Sequence, residues 1–165
     1  MVTSNDNPTP DARPPTLEDL LDLCRRLNAA GARYIVIGGM AIIQHGFVRA
    51  TEDIDLLVDA SAENFEKIKS AMLGLPDGAI REIGPDDLNQ YVVVRVGDEF
   101  VVDLMKAACG VGYAEASGEI SFITIEGVNI PFATPKLLWR LKQTHREKDT
   151  LDRLFLAELL KNHPD

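Results

Sequence analysis

Residues 35–59, IVIGGMAIIQHGFVRATEDIDLLVD, constrain the fold more than any other stretch of this chain. The apolar run Tyr34 to Ile37 predicts a buried strand, Gly38-Gly39 a sharp turn, Met40 to Gln44 a short apolar helix, and Gly46 a second turn. A second strand then carries Asp53 and Asp55. Side chains alternate across a strand, so the two aspartates share one face while Ile54, Leu56 and Val58 take the other. One face of this strand belongs to a core and the other to chemistry.

Two carboxylates side by side repel and raise each other's pKa unless a cation lies between them. An all-oxygen site of this kind suits Mg²⁺, which takes one or two protein carboxylates and fills its remaining positions with water and substrate phosphates. At Gly38 and Gly39 the absence of a Cβ permits a tight turn and close approach of backbone to a ligand. The helix that follows offers free N–H groups to a phosphate. Phosphate cradle and metal site are thus expected on consecutive elements.

The pattern Gly38-Gly39, then Arg49-x-Thr51-x-Asp53-x-Asp55 with apolar residues after each aspartate, resembles the signature of the DNA polymerase β-type nucleotidyltransferase superfamily. Its double glycine and R-x-T-x-D-x-D form are most similar to the AbiEii-like and minimal nucleotidyltransferase branches. The resemblance implies an α/β (α+β) fold, a small mixed, mostly antiparallel sheet flanked by helices. It also implies a third carboxylate on a neighbouring strand.

The chain has 165 residues, 45% hydrophobic and 26% charged, which fits one soluble globular core. Its formal charge of -9 opposes nonspecific attraction to nucleic acid. Cys24 and Cys109 lie too far apart in sequence to suggest a metal motif or a disulfide framework, and a reducing cytoplasm is the expected setting. No apolar run approaches a membrane span and no signal peptide is legible at the N-terminus. Residues 1–15, rich in Pro, Asn, Asp, Ser and Thr, read as a disordered arm, residues 16–133 as the catalytic core and residues 134–165 as a short C-terminal helical segment.

Thr16 and Asp19 predict a capping box at the start of a helix ending near Gly31, whose stripe Leu17, Leu20, Leu21, Cys24 and Leu27 makes Cys24 a core residue. Ser61 opens a second helix with Phe65, Ile68, Met72 and Leu75 buried, and an irregular stretch from Ile80 to Asn89 follows. Tyr91 to Val96 and Phe100 to Met105 read as a hairpin turning at Gly97-Asp98. Asp103 stands in the otherwise apolar run FVVDLM, where an unpartnered carboxylate is expensive. It is the natural third acid, with a structural aspartate satisfied by backbone or a basic residue as the alternative.

Two β-like runs, Ile120 to Glu126 and Val128 to Phe132, precede Thr134-Pro135, which opens a helix to about Thr144. A final helix from about Glu147 to Leu160 carries Leu151, Leu154, Phe155 and Leu159, and the two could be one kinked helix. Lys136, Arg140, Lys142, His145, Arg146 and Lys148 crowd into this region of an acidic chain. If the helix is continuous, Lys142, Arg146, Asp149 and Arg153 share a face. The segment from Lys142 to Asp152 resembles the C-terminal motif of AbiEii-like nucleotidyltransferases. By that resemblance Lys142 and Arg146 neutralise the β- and γ-phosphates, and Asp149 orients one of them or acts near the acceptor. A solvated, salt-bridged helix is the alternative.

The resemblance implies Mg²⁺-dependent transfer of a nucleoside monophosphate from a nucleoside triphosphate to an acceptor hydroxyl. Two ions would be held by Asp53, Asp55 and Asp103, and Gly38 and Gly39 would hold the triphosphate. Asp103 would also help deprotonate the acceptor. Arg49 could contact a phosphate and Thr51 fix the loop, or both could serve the turn; His45 reads as a capping or pocket-lining residue. The acceptor, an RNA end, a protein or a small molecule, stays open. Relatives include toxins that modify tRNA ends and members that act as antitoxins. So short a chain leaves little room for a separate RNA-binding domain, which a homodimer or partner subunit would supply. A noncatalytic nucleotide-binding or antitoxin-like partner protein of the same fold is the main alternative, and a phosphohydrolase using the same acids on water is another.

Overall fold

A computed structural model of the chain describes residues 12–163. The chain opens with α1 (Leu17–Ala30), β1 (Tyr34–Ile37), α2 (Gly38–Gln44), β2 (Asp53–Val58) and α3 (Ala62–Met72). A 3₁₀ turn over Ala79–Glu82 and α4 (Asp87–Gln90) lead to β3 (Val93–Gly97) and β4 (Val101–Met105). Next come a two-stranded ribbon of β5 (Ala107–Ala108) and β6 (Val111–Gly112), then α5 (Tyr113–Ala116). β7 (Ile120–Ile125), β8 (Val128–Ala133), α6 (Pro135–Leu141) and α7 (Glu147–Asn162) complete the described chain.

Six strands form one sheet in the order β3-β4-β2-β1-β8-β7. The pairs β3/β4, β1/β2 and β7/β8 are antiparallel, while β2/β4 and β1/β8 are parallel. This is the expected α/β fold with a mixed, mostly antiparallel sheet. β2 and β1 are the two central strands, and β4 lies parallel to β2 on its other side. Leu56, Leu57, Ile54, Val102 and Leu104 are fully buried there, each worth about 1.5–3 kcal/mol on removal from water.

Local chemistry explains the helix starts. Thr16 accepts from Asp19 N while Asp19 accepts from Thr16 N at 2.7 Å, so the short Asp does close the capping box. Ser61 caps α3, and Thr134 caps α6 with Pro135 at its first position. Cys24 is buried as expected, and burial pushes its thiol up to about 12. Of the N-terminal arm, residues 1–11 lie outside the described residues; Arg13 is held by Asp19 and Glu99.

The C-terminal segment takes the first of its two alternatives, a pair of separate helices. α6 stops at Leu141 and α7 starts at Glu147, so no continuous helix carries Lys142, Arg146, Asp149 and Arg153 on one face. Arg153 bridges the break by donating to the carbonyls of Lys142 (2.5 Å) and Thr144 (2.8 Å). Leu151 and Leu154 are 53% and 63% exposed, whereas Asp149, Asp152 and Leu156 are buried and Phe155 stacks on Phe47 at 5.0 Å. α7 turns these carboxylates toward the half-buried Arg49 and the buried Lys142.

Candidate active site

The turn between β1 and α2 and the strand β2 lie against each other through the two glycines. Gly38 has φ +66°, a left-handed conformation that favours glycine. A Cβ there would stand 2.1 Å from Asp55 Oδ2 and 2.9 Å from Asp55 Cβ. At Gly39 a Cβ would stand 2.4 Å from Thr51 Oγ1. The double glycine therefore makes room for the motif's own Asp55 and Thr51, in addition to any ligand. We expect Gly38→Ala to destabilise the protein by about 2–4 kcal/mol, combining backbone strain and overpacking. Gly39→Ala, which crowds Thr51 but does not add the strain of a left-handed backbone, should cost less. Thermal melts of the two variants check this, and equal losses would refute it.

The parallel register sets Asp55 beside Asp103 and the antiparallel one sets Arg95 opposite Asp103. Oxygens of Asp53, Asp55 and Asp103 lie within 4.8 Å of one another. Three oxygen donors at such spacing match the preference of a hard divalent cation. Arg95, which the sequence reading did not single out, donates from Nε to Asp103 Oδ1 and from Nη2 to Asp103 Oδ2, both at 3.0 Å, and from Nη2 to Asp53 Oδ2 at 3.4 Å. The buried Asp103 thus has the basic partner that its alternative reading requires, in the same place as the acidic cluster.

Burial, reinforced by the charges of Asp53 and Asp103, holds the Asp55 carboxyl well above the usual carboxylate range, with Lys142 and Lys148 opposing. Burial also raises Asp103, outweighing the Arg95 hydrogen bonds. The folded chain therefore keeps protons that the unfolded chain has already lost, and stability falls as pH rises from the ordinary carboxylate value through the raised one. In chelator, we expect Asp55→Asn to flatten this fall and to melt above wild type at neutral pH. Melting curves across that interval test it, and identical slopes would refute it.

A second ionic cluster lies behind the first. Asp152, fully buried, accepts two hydrogen bonds from Arg49 (Nε and Nη2, both 2.9 Å) and pairs with Lys142 Nζ at 2.9 Å. Lys142 also reaches Asp149 at 3.2 Å. Burial alone would raise Asp149, but the Thr144 hydroxyl and Lys142 outweigh it and hold the carboxyl below its usual value. Arg146 Nε is 3.8 Å from Asp149. Lys142, Arg146 and Asp149 are therefore brought together by the bend between α6 and α7. Arg49 is joined to them through Asp152.

Thr51, His45 and Asp98 each make a contact within the scaffold. Thr51 Oγ1 donates to the Asp53 carbonyl at 3.1 Å, bracing the approach to β2. His45 Nε2 lies 2.8 Å from the Ala133 carbonyl, where it fastens the end of α2 to β8. Asp98, at the β3–β4 turn, is buried and accepts from the amides of Asp77, Ala79 and Glu99.

No protein-family profile and no curated protein matches the sequence. Solved structures do match the fold. A candidate nucleotidyltransferase from Thermotoga maritima superposes with a TM-score of 0.50 at 16% identity, covering 88% of this chain and 90% of that one. The antibiotic-resistance factor ANT(2'')-Ia in solution gives 0.51 at 15% identity over 87% of this chain and 85% of its own. The same factor in complex with adenylyl-2''-tobramycin gives 0.51 at 18% identity over 86% and 89%. The chain has the nucleotidyltransferase fold. Among the described residues no helix is long and apolar enough to cross a membrane.

Proposed function

We propose that the protein is a Mg²⁺-dependent nucleotidyltransferase that moves a nucleoside monophosphate from a nucleoside triphosphate to an acceptor hydroxyl, releasing pyrophosphate. The observation that carries this reading is the convergence of Asp53, Asp55 and Asp103 within 4.8 Å on adjacent strands, beside the Gly38 turn. Mg²⁺ bound at this cluster would supply neutralisation of phosphate charge and activation of the acceptor hydroxyl.

The chain's own residues do the positioning. The Gly38-Gly39 backbone lies against the triphosphate. Lys142, Arg146 and Lys148 place positive charge toward its β- and γ-phosphates, and Asp149 orients Lys142 for that task. Arg49 and Thr51 hold the loop that delivers Asp53 and Asp55. The acceptor oxygen attacks the α-phosphorus as pyrophosphate leaves, and its proton passes to Asp103. Rate enhancement on this scheme comes from orientation and charge neutralisation rather than covalent catalysis.

ANT(2'')-Ia, a fold neighbour seen with adenylyl-2''-tobramycin, makes a small hydroxylated compound the first acceptor class to screen. An RNA end or a protein comes next, in keeping with the AbiEii-like resemblance and a role in a toxin-antitoxin system in a reducing cytoplasm. The bidentate hold of Arg95 on Asp103 favours a second reading, a noncatalytic nucleotide-binding partner protein. Calorimetric titration of the four nucleoside triphosphates with and without Mg²⁺, followed by pyrophosphate release with each acceptor class, separates the two. Mg²⁺-dependent binding with pyrophosphate release supports the enzyme; binding with no release across all acceptors supports the partner protein.

A further inference from the structure

The acidic cluster already contains a cation. Arg95 is 8% exposed and sits on β3 directly opposite Asp103. Both Asp103 oxygens accept from its guanidinium at 3.0 Å, and the same Nη2 reaches Asp53 at 3.4 Å. A planar fork on a carboxylate is among the strongest and most directional pairings available to a side chain. The strand register fixes both partners, so neither can be displaced without leaving a buried charge uncompensated. Three carboxylates carry three negative charges; Arg95 cancels one, and the remaining two match one divalent ion.

Resting on the nucleotidyl-transfer reading, we infer that Arg95 permanently fills one of the two cation positions of the cluster, so that the protein binds a single divalent ion, between Asp53 and Asp55. Arg95 is then a positioning residue that acts through Asp103. It keeps that carboxylate aimed at the site in the absence of any ion. The two-ion arrangement implied by the family resemblance is reduced to one ion and one guanidinium. Lys and Arg are not equivalent here, because an ammonium cannot hold both oxygens in the plane of the fork.

The probe is Mn²⁺ alone, titrated into the full chain without nucleotide, with the free ion counted by its paramagnetic resonance signal. Wild type should take up one Mn²⁺ per chain. Arg95→Leu frees Asp103 and should take up two, with the broadened spectrum of an exchange-coupled pair. Asp103→Asn, which leaves the Asp53 and Asp55 ligands in place, should keep the count at one, and it carries the test if Arg95→Leu fails to fold. Two ions in wild type, a single ion in folded Arg95→Leu, or loss of the ion in folded Asp103→Asn would each overturn the inference while leaving the enzyme reading intact. No Mn²⁺ uptake by wild type or either folded variant would instead remove the metal site itself, and both readings would fall together.

Discussion

Replacing Asp53 and Asp55 together by alanine is expected to abolish nucleotidyl transfer, lowering kcat by about a thousandfold or more. The two side chains project from one face of β2, and Gly38 leaves space for the second of them. Without them Arg95 stays clasped to Asp103, and the triphosphate meets basic residues with no metal to bridge its oxygens. Mg²⁺-dependent binding in calorimetry should vanish while any weak, Mg²⁺-independent binding through Lys142 and Arg146 persists. The double variant should melt no lower than wild type in chelator, since it removes the burial cost and the repulsion that raise the Asp55 pKa. A variant that retains more than about a tenth of wild-type pyrophosphate release would sink the assignment.

Asp152→Ala should be the most destabilising single change at the C-terminal end. It strips Arg49 of both its carboxylate bonds and Lys142 of one of its two partners, in a place shielded from water. Breaking a buried pair on one side costs about 3–5 kcal/mol, or roughly 10 °C in melting temperature for a chain of this length. Adding Arg49→Ala to that background should cost little more, because its partner has already gone. Additive losses in the double variant would show that Arg49 is held by something other than Asp152. Transfer should also weaken, because Arg49 secures the segment leading into β2 and α7 carries the residues that steady Lys142.

The sequence was most informative where pattern and chemistry coincided. The double glycine, the alternation around Asp53 and Asp55, and the single aspartate in FVVDLM are local signals, and the register of β2 on β4 joined them. Arg95 carried no such signal: in VVVRVG it reads as a solvent-facing strand residue until its cross-strand neighbour is known. Asp152 was hidden for a related reason. Helical periodicity assigns leucines to the inside, and Leu151 and Leu154 are exposed because Arg49 and Lys142 select carboxylates for the buried face. The ribbon of β5 and β6, two residues in each strand, is too short for any periodicity to register.

Chain order also governs how this domain is made. β1 acquires its parallel neighbour only when Phe132 arrives opposite Val36, and Arg49 meets Asp152 across 103 residues. At a synthesis rate of about 5–20 residues per second, the glycine turn and its aspartates wait on the order of 5–20 s for the helix that anchors them. During that interval the growing chain displays the motif without a working centre. Assembly is therefore gated by the emergence of α7, and a fragment stalled before it should be inert toward triphosphates.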